Sequence, residues 1–497
     1  MNPQILLDLK KFYPELALSV ALLCVVIGDL AFPRFHKKIT FCIAALGLVM
    51  AFLASIALFQ EPSGTLFFGV LALDPAAVFF KCFLILTSFL ILLATPGSVE
   101  LGQRRLGEFY SLLLGVTLGL LLLAASEDML MLYLSLEMVS IGSYIMVGYL
   151  KNDRQSNEAA LKYLLFGAVS SGCMLYGFTL FYGLTGTTKL LGMREVLASG
   201  GAAGDNAVML LIASTAVLAG FGFKTAAVPF HFWCPDVYTG APTPVTAFLS
   251  VAPKAAGFAI LVRFFFTGLA LPSAHTGSWT PLSSIDWRLL VLVLSILTMT
   301  LGNIAALRQE NMKRLLAYSS IAHAGYILMG VVVLTSQGIQ SILIYLITYL
   351  FMNLGAFLVV IEIYNRTGSF DLKDYRGLYR RSPFLSISMT IFMLSLMGIP
   401  PLAGFFGKLY VFGAAVNANL AWFAVVGALN SVIAVYYYAR VIKTMIIEAQ
   451  EDMTRIATPW AGLVLVWFML LPTVGLMLFW SQIQQLTLAS MKLFLGN

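Results

Sequence analysis

The chain has 497 residues, 60% of them hydrophobic and 11% charged, with 30 basic against 23 acidic side chains and a formal net charge of +7. Charged residues make up about a quarter of ordinary soluble domains, so a soluble enzyme is excluded. A membrane β-barrel is excluded as well, because the apolar stretches are continuous and not alternating ten-residue segments.

What remains is an all-α, polytopic membrane protein. At about 20 apolar residues per span, fourteen helices are expected. They lie near 13–32, 39–59, 75–94, 108–125, 128–149, 158–183, 207–230, 242–269, 289–306, 313–333, 338–362, 383–416, 419–447 and 458–485. Pro and Gly interrupt the seventh, eighth and twelfth. The first is too long for a secretory signal peptide and lacks its small-residue cleavage site. Taking the loop after the first helix as cytoplasmic, 18 of the 30 basic residues collect on that side, including Arg34, Arg104, Arg105, Lys313 and Arg314. Seven lie on the other, including Lys10, Lys11, Arg263 and Lys492. The positive-inside rule then predicts both termini outside. The positive net charge reflects this bias, and no nucleic-acid partner is expected.

In chain order, the informative residues are the charges inside spans. Lys81 sits near the outer end of its helix, where a lysine snorkels to the interface. Glu137 lies nine residues into its helix, near the midplane at a rise of 1.5 Å per residue. It is either a structural carboxyl bonded to a neighbouring helix or an ion partner for Lys162 or Lys224. Lys162 is one turn from the cytoplasmic start of its predicted helix and can also snorkel. Lys224 ends the run Ala219-Gly220-Phe221-Gly222-Phe223 and is followed by Pro229. Lys254 follows Pro253, about twelve residues into its helix. His323 is either a hydrogen-bonded core imidazole or a proton relay at neutral pH. Lys408 ends Ala403-Gly404-Phe405-Phe406-Gly407, after Pro400 and Pro401.

A lysine at depth costs roughly 2.5–3.5 kcal/mol and marks an ion pathway by default. The Gly and Pro residues beside Lys224 and Lys408 predict helices that break in mid-membrane. Cys24, Cys42, Cys82, Cys173 and Cys234 are scattered, as small apolar core residues are. His231 and Cys234 share a loop, but two candidates do not make a four-ligand zinc site. No metal or cofactor is therefore expected on this chain, and no nucleotide-binding glycine pattern occurs.

Lys224 and Lys408 are 184 residues apart, and other matches recur near that offset. Tyr144-Ile145-Met146-Val147-Gly148 returns as Tyr326-Ile327-Leu328-Met329-Gly330, Tyr163-Leu164 as Tyr345-Leu346, and Gly172 as Gly355. Residues 108–270 and 289–447 read as two five-helix repeats, with 1–107 holding flanking helices 1–3 and 458–497 the last helix. Five is odd, so the repeats have inverted topology. Glu137 aligns with Ser319 and Lys162 with Ile344, so the two halves differ in the charges they carry.

Three segments carry a family resemblance. They are Phe223-Lys224-Thr225 continuing to Trp233-Cys234-Pro235-Asp236-Val237-Tyr238-Thr239-Gly240-Ala241-Pro242-Thr243-Pro244, then Lys313-Arg314-Leu315-Leu316-Ala317-Tyr318-Ser319-Ser320-Ile321, and Gly398-Ile399-Pro400-Pro401-Leu402-Ala403-Gly404-Phe405. The chain resembles the antiporter-like membrane subunits of respiratory complex I over essentially its whole length. It departs from one sister type by lacking a long lateral helix after the fourteenth span, and from another by Lys408 in place of a glutamate. The resemblance implies a proton-translocating membrane-arm subunit of a bacterial inner membrane, with both termini on the periplasmic side. It implies coupling at a distance to NADH oxidation and quinone reduction, with FMN, iron–sulfur clusters and quinone on partner subunits. Neighbouring antiporter-like subunits and the lipid bilayer are the implied partners. Glu137 with Lys162 or Lys224 is the implied switching pair, Lys254 the central relay, and Lys408 the terminal group. The alternatives are a multi-subunit cation/proton antiporter, a ferredoxin- or hydrogenase-driven membrane arm, and a non-transporting scaffold.

Overall fold

The computed structural model describes residues 3–31, 36–102, 106–199, 206–273, 277–282, 286–448, 455–456 and 459–493. Arg34, Arg104, Arg105 and the predicted span limits 32 and 458 lie outside the described residues. The first helices are α1 (Tyr13–Ala31), α2 (His36–Ala57), α3 (Pro75–Ala94), α4 (Leu106–Ala125), α5 (Met129–Val147) and α6 (Arg154–Thr185). Next come α7 (Ala207–Thr225), the short α8 (Trp233–Gly240), α9 (Thr243–Val262, running on through a π-turn to Gly268), α10 (Trp287–Ala306), α11 (Met312–Val332) and α12 (Ser336–Thr367). The last are α13 (Pro383–Met397), α14 (Ala403–Asn417), α15 (Ala421–Ile446), α16 (Trp460–Gly475) and α17 (Trp480–Ser490). Among the described residues, 13 helical stretches are long and apolar enough to cross a membrane. The split helix α13–α14 adds one more, matching the expected fourteen.

Sequence punctuation explains the helix ends. Asp128, Asp153, Asn311 and Thr335 accept hydrogen bonds from first-turn amides of α5, α6, α11 and α12, filling donors that a helix start leaves open. Gly186 and Gly368 close α6 and α12 in the left-handed conformation, at φ 70° and 66°. Both of these helices are 32 residues long, and their caps recur at the spacing of the sequence matches.

Helices α9, α11 and α12 form a buried axis, while α1, α2, α6, α15 and α16 turn apolar faces outward. Such faces suit lipid, which offers no hydrophobic penalty, so helix association depends on close packing. Gly325 and Gly302 provide it between α10 and α11. A Cβ at Gly325 would lie 2.4 Å from the Met299 amide, and one at Gly302 2.6 Å from that of Ala322.

One end of the bundle is closed by two short hairpins, β1 (Gly64–Leu66) with β2 (Leu71–Leu73) and β3 (Ala270–Pro272) with β4 (Trp279–Pro281). Single bridges Leu71↔Ser126 and Ser278↔Thr335 tie them to neighbouring turns, and Asp128↔Lys189 joins two further turns. This cover corrects two readings. Lys81 does not snorkel: its Nζ is 2.8 Å from Glu15 Oε1, with both side chains at most 1% exposed. At this end the first hairpin packs on the N-terminal segment, with Phe67 edge-on against Phe12 and its amide donating to Asp8. Arg263, counted among exposed outer basics, is also buried. It clasps Asp74 through two 2.9 Å bonds and Glu127 through one of 2.5 Å.

Candidate functional site

The two predicted breaks are present, and each leaves backbone groups that other residues satisfy. Helix α7 stops one residue after Lys224, with Ala226 left-handed at φ 58°. Thr298 Oγ1 accepts from the Val228 amide at 2.9 Å, and the Trp233 indole donates to the Phe223 carbonyl at 3.1 Å. In the second break the freed carbonyl of Met397 accepts from Lys408 Nζ at 2.7 Å. Lys408 thus reaches back from α14 to the C-terminal end of α13, where the helix dipole favours a cation.

Between the breaks runs a line of buried polar side chains. Lys254 Nζ, on α9, donates to Ser320 Oγ on α11 at 2.6 Å. One turn along α11, His323 lies between two phenols: Nδ1 is 2.8 Å from the Tyr345 hydroxyl and Nε2 3.2 Å from that of Tyr438. Lys254 and Lys408 both lie close enough to His323 for their charges to interact. The Lys408 ammonium also sits 5.0 Å from the Tyr326 ring, whose hydroxyl bonds Asn303. Lys254, His323 and Lys408 are therefore brought together by α9, α11, α12, α14 and α15.

Glu137 and Lys224 stand apart from this network. Lys224 Nζ and Glu137 Oε1 are buried and make no hydrogen bond among the described residues. They are near enough for electrostatic interaction across α5 and α7 but form no ion pair. Lys162 sits two turns into its helix and not one, because α6 starts at Arg154 and not at 158. Its ammonium does not reach Glu137; it bonds Asp236 at 2.7 Å and Glu158 at 2.8 Å, with the side chain 37% exposed.

Asp236 also holds Arg314 at 2.7 Å, so it joins α6, α8 and α11 at the rim of a cavity of about 190 Å³. Burial alone would raise the Asp236 carboxyl, but the bonds from Lys162 and Arg314 outweigh it and hold it below its ordinary value. Asp236 lies within the Trp233-to-Pro244 motif, and the sequence alone gives it no partner. Its signal was a lone acid in a segment rich in aromatics and proline. Tyr345 and Tyr438 carried no such signal.

Gly398 gives a sharp test of the second break. Its φ is 88°, and a Cβ there would lie 2.8 Å from Lys408 Cδ. Gly398→Ala is expected to cost about 1–2 kcal/mol in the left-handed backbone and to dislodge Lys408 from the Met397 carbonyl. A thermal melt of the purified protein should show the loss; an unchanged melt would refute it.

A family model described as the NADH:quinone oxidoreductase/Mrp antiporter transmembrane region matches residues 126–434, which include all six charged candidates. NADH-quinone oxidoreductase subunit N of Anaeromyxobacter sp. is 45% identical over 98% of this chain and 97% of its own. The chain belongs to the subunit N family of NADH-quinone oxidoreductases. A chain of respiratory complex I from Thermus thermophilus, solved with bound aureothin, is 32% identical. It superposes with a TM-score of 0.77 over 95% of this chain and 98% of that one. A chain of the Mrp complex from Dietzia sp. has the same fold at 20% identity, with a TM-score of 0.80 over 97% of both chains. The subunit N family is one of membrane-arm subunits, and its members work within multi-subunit complexes beside related antiporter-like chains.

Proposed function

We propose that the chain carries protons across a bacterial inner membrane as part of an NADH:quinone oxidoreductase, with the electron chemistry on FMN, iron–sulfur clusters and quinone held by partner subunits. The observation that carries this reading is the buried line Lys254–Ser320 to His323–Tyr345/Tyr438 to Lys408. Amines, hydroxyls and an imidazole in such a line can pass protons, with small side-chain movements or bound water closing the gaps. Near-complete cover of subunit N relatives supports the choice of parent complex.

Residues 108–270 and 289–447 act as inverted repeats, a division supported by the equal lengths of α6 and α12 and by their matching caps. With both termini periplasmic, the Asp236–Lys162–Arg314 cavity opens toward the cytoplasm and loads the first half. Glu137 and Lys224 form a gate. A carboxylate about 4 Å from an ammonium favours its charged form by about 4 kcal/mol at an effective dielectric near 20, and separation removes that preference. Lys254 and His323 then relay to Lys408, which discharges outward. Neighbouring antiporter-like subunits flank the chain in the membrane arm.

Lys254→Arg tests the relay, because arginine keeps the charge yet does not give up its proton. In the intact complex reconstituted in vesicles, NADH-driven proton uptake is expected to fall at least about tenfold, as for loss of an essential proton-transfer group. Wild-type pumping by Lys254→Arg would rule out relay through this amine.

A further inference from the structure

The end of α15 that faces the basic loops carries a groove with no role in the proton line. It has a volume of about 810 Å³, far more than a lone phosphate fills. One wall is the outward face of α15, where Val432, Val435 and Tyr436 are 68%, 42% and 62% exposed. In a membrane protein such a face meets acyl chains. The rim is charged: Lys373, Arg376, Arg440 and Lys443 line the same groove.

Two carboxylates also line it, and they leave the rim positive. Glu448 lies 3.1 Å from Arg376 and 3.7 Å from Lys443. Glu310 makes no ion pair with any of the four among the described residues. Among the described residues Arg440 donates to the Gln309 carbonyl, and neither it nor Lys373 has a carboxylate partner. Among the described residues of the rim, two positive charges are left over above an apolar wall. A free anion would use the rim and leave the wall to lipid, whereas an apolar helix would leave the rim unmatched. An amphiphile with an anionic head satisfies both, and basic pockets between helices on the cytoplasmic side suit lipid headgroups.

We propose that this groove binds an anionic phospholipid, its phosphate held by Lys373, Arg376, Arg440 and Lys443 and an acyl chain lying along Val432, Val435 and Tyr436. The site is independent of the proton line, so the outcome at either leaves the other untouched. The test uses the intact complex, stripped of lipid in detergent and titrated with dioleoylphosphatidylglycerol while retained lipid is counted by native mass spectrometry. Lys373→Gln with Lys443→Gln changes two exposed side chains and leaves the fold alone. At about 1 kcal/mol per basic side chain near the headgroups, the double variant should bind about thirtyfold more weakly. Val435→Trp, which keeps the charges and blocks the wall, should also lose the lipid.

Equal retention of dioleoylphosphatidylethanolamine would overturn the proposal, as would displacement by millimolar inorganic phosphate, which would mark a free-anion site. Unchanged phosphatidylglycerol binding in both variants would overturn it too. So would loss of a neighbouring subunit from the double variant at constant lipid count, which would mark a protein contact.

Discussion

Glu137→Gln is expected to cut NADH-driven proton translocation at least about tenfold while leaving the complex assembled. The glutamine keeps the size of the side chain and its capacity for hydrogen bonds, so packing of α5 should hold. Glu137 Oε1 makes no hydrogen bond that the substitution would break. What disappears is the charge facing Lys224, whose own Nζ lacks a hydrogen-bond partner among the described residues. An interaction of about 4 kcal/mol at 4 Å amounts to roughly three orders of magnitude in proton affinity, at about 1.4 kcal/mol per tenfold. A gate without that contrast holds its proton equally in both positions and cannot impose direction. Vesicle acidification driven by NADH should fall at least about tenfold on that basis, and Glu137→Asp should retain part of it. Wild-type acidification by Glu137→Gln would remove Glu137 from the mechanism.

The burial of Lys224, Lys254, His323 and Lys408 was legible in the sequence because membranes tolerate so few charges. Each lysine inside an apolar run marked itself, and the flanking Gly and Pro residues announced the breaks at Ala226 and Gly398. Partner choice was not legible. Lys162 and Lys224 stood as equal candidates for Glu137, and only the fold shows that α8 folds back to offer Asp236 to Lys162. The phenols of Tyr345 and Tyr438 were hidden for another reason. A tyrosine is an ordinary apolar-helix residue, and its role follows only from α12 and α15 converging on His323.

Helix ends misled the reading in a different way. Lys81 and Arg263 lie near span limits, where a solvated basic group is the cheap expectation. In both cases an acid distant in sequence changes the outcome: Glu15 is 66 residues from Lys81, and Asp74 is 189 from Arg263. Charge counting by loop cannot detect such pairs, because it treats the ends of helices as open to water. The hairpins that cover this face are only three residues per strand, too short to stand out from loop.

Arg263→Met is expected to have the largest effect on stability. The guanidinium binds Asp74 through both of its terminal nitrogens, reaches Glu127, and donates to the Ala124 carbonyl at 3.3 Å. It therefore joins the start of α3, the α4–α5 turn and the end of α9. Removing it takes from two buried carboxylates the guanidinium that clasps both, and breaking a buried pair costs about 3–5 kcal/mol. A lysine has one ammonium and cannot reproduce the fork, so Arg263→Lys should recover only part of the loss. Asp74 also accepts from the Ala77 amide at 2.7 Å to cap α3, a role that asparagine can keep. The triple change Arg263→Met, Asp74→Asn, Glu127→Gln removes all three charges together. It should therefore regain much of the stability lost by Arg263→Met alone. The quantities to compare are the assembled complex in membranes and its melting temperature after purification. Proton uptake per assembled complex should stay near wild type in the triple variant, since the cluster lies off the proton line. A triple variant no more stable than Arg263→Met would show that bonding by the guanidinium itself, and not uncompensated charge, holds this end together.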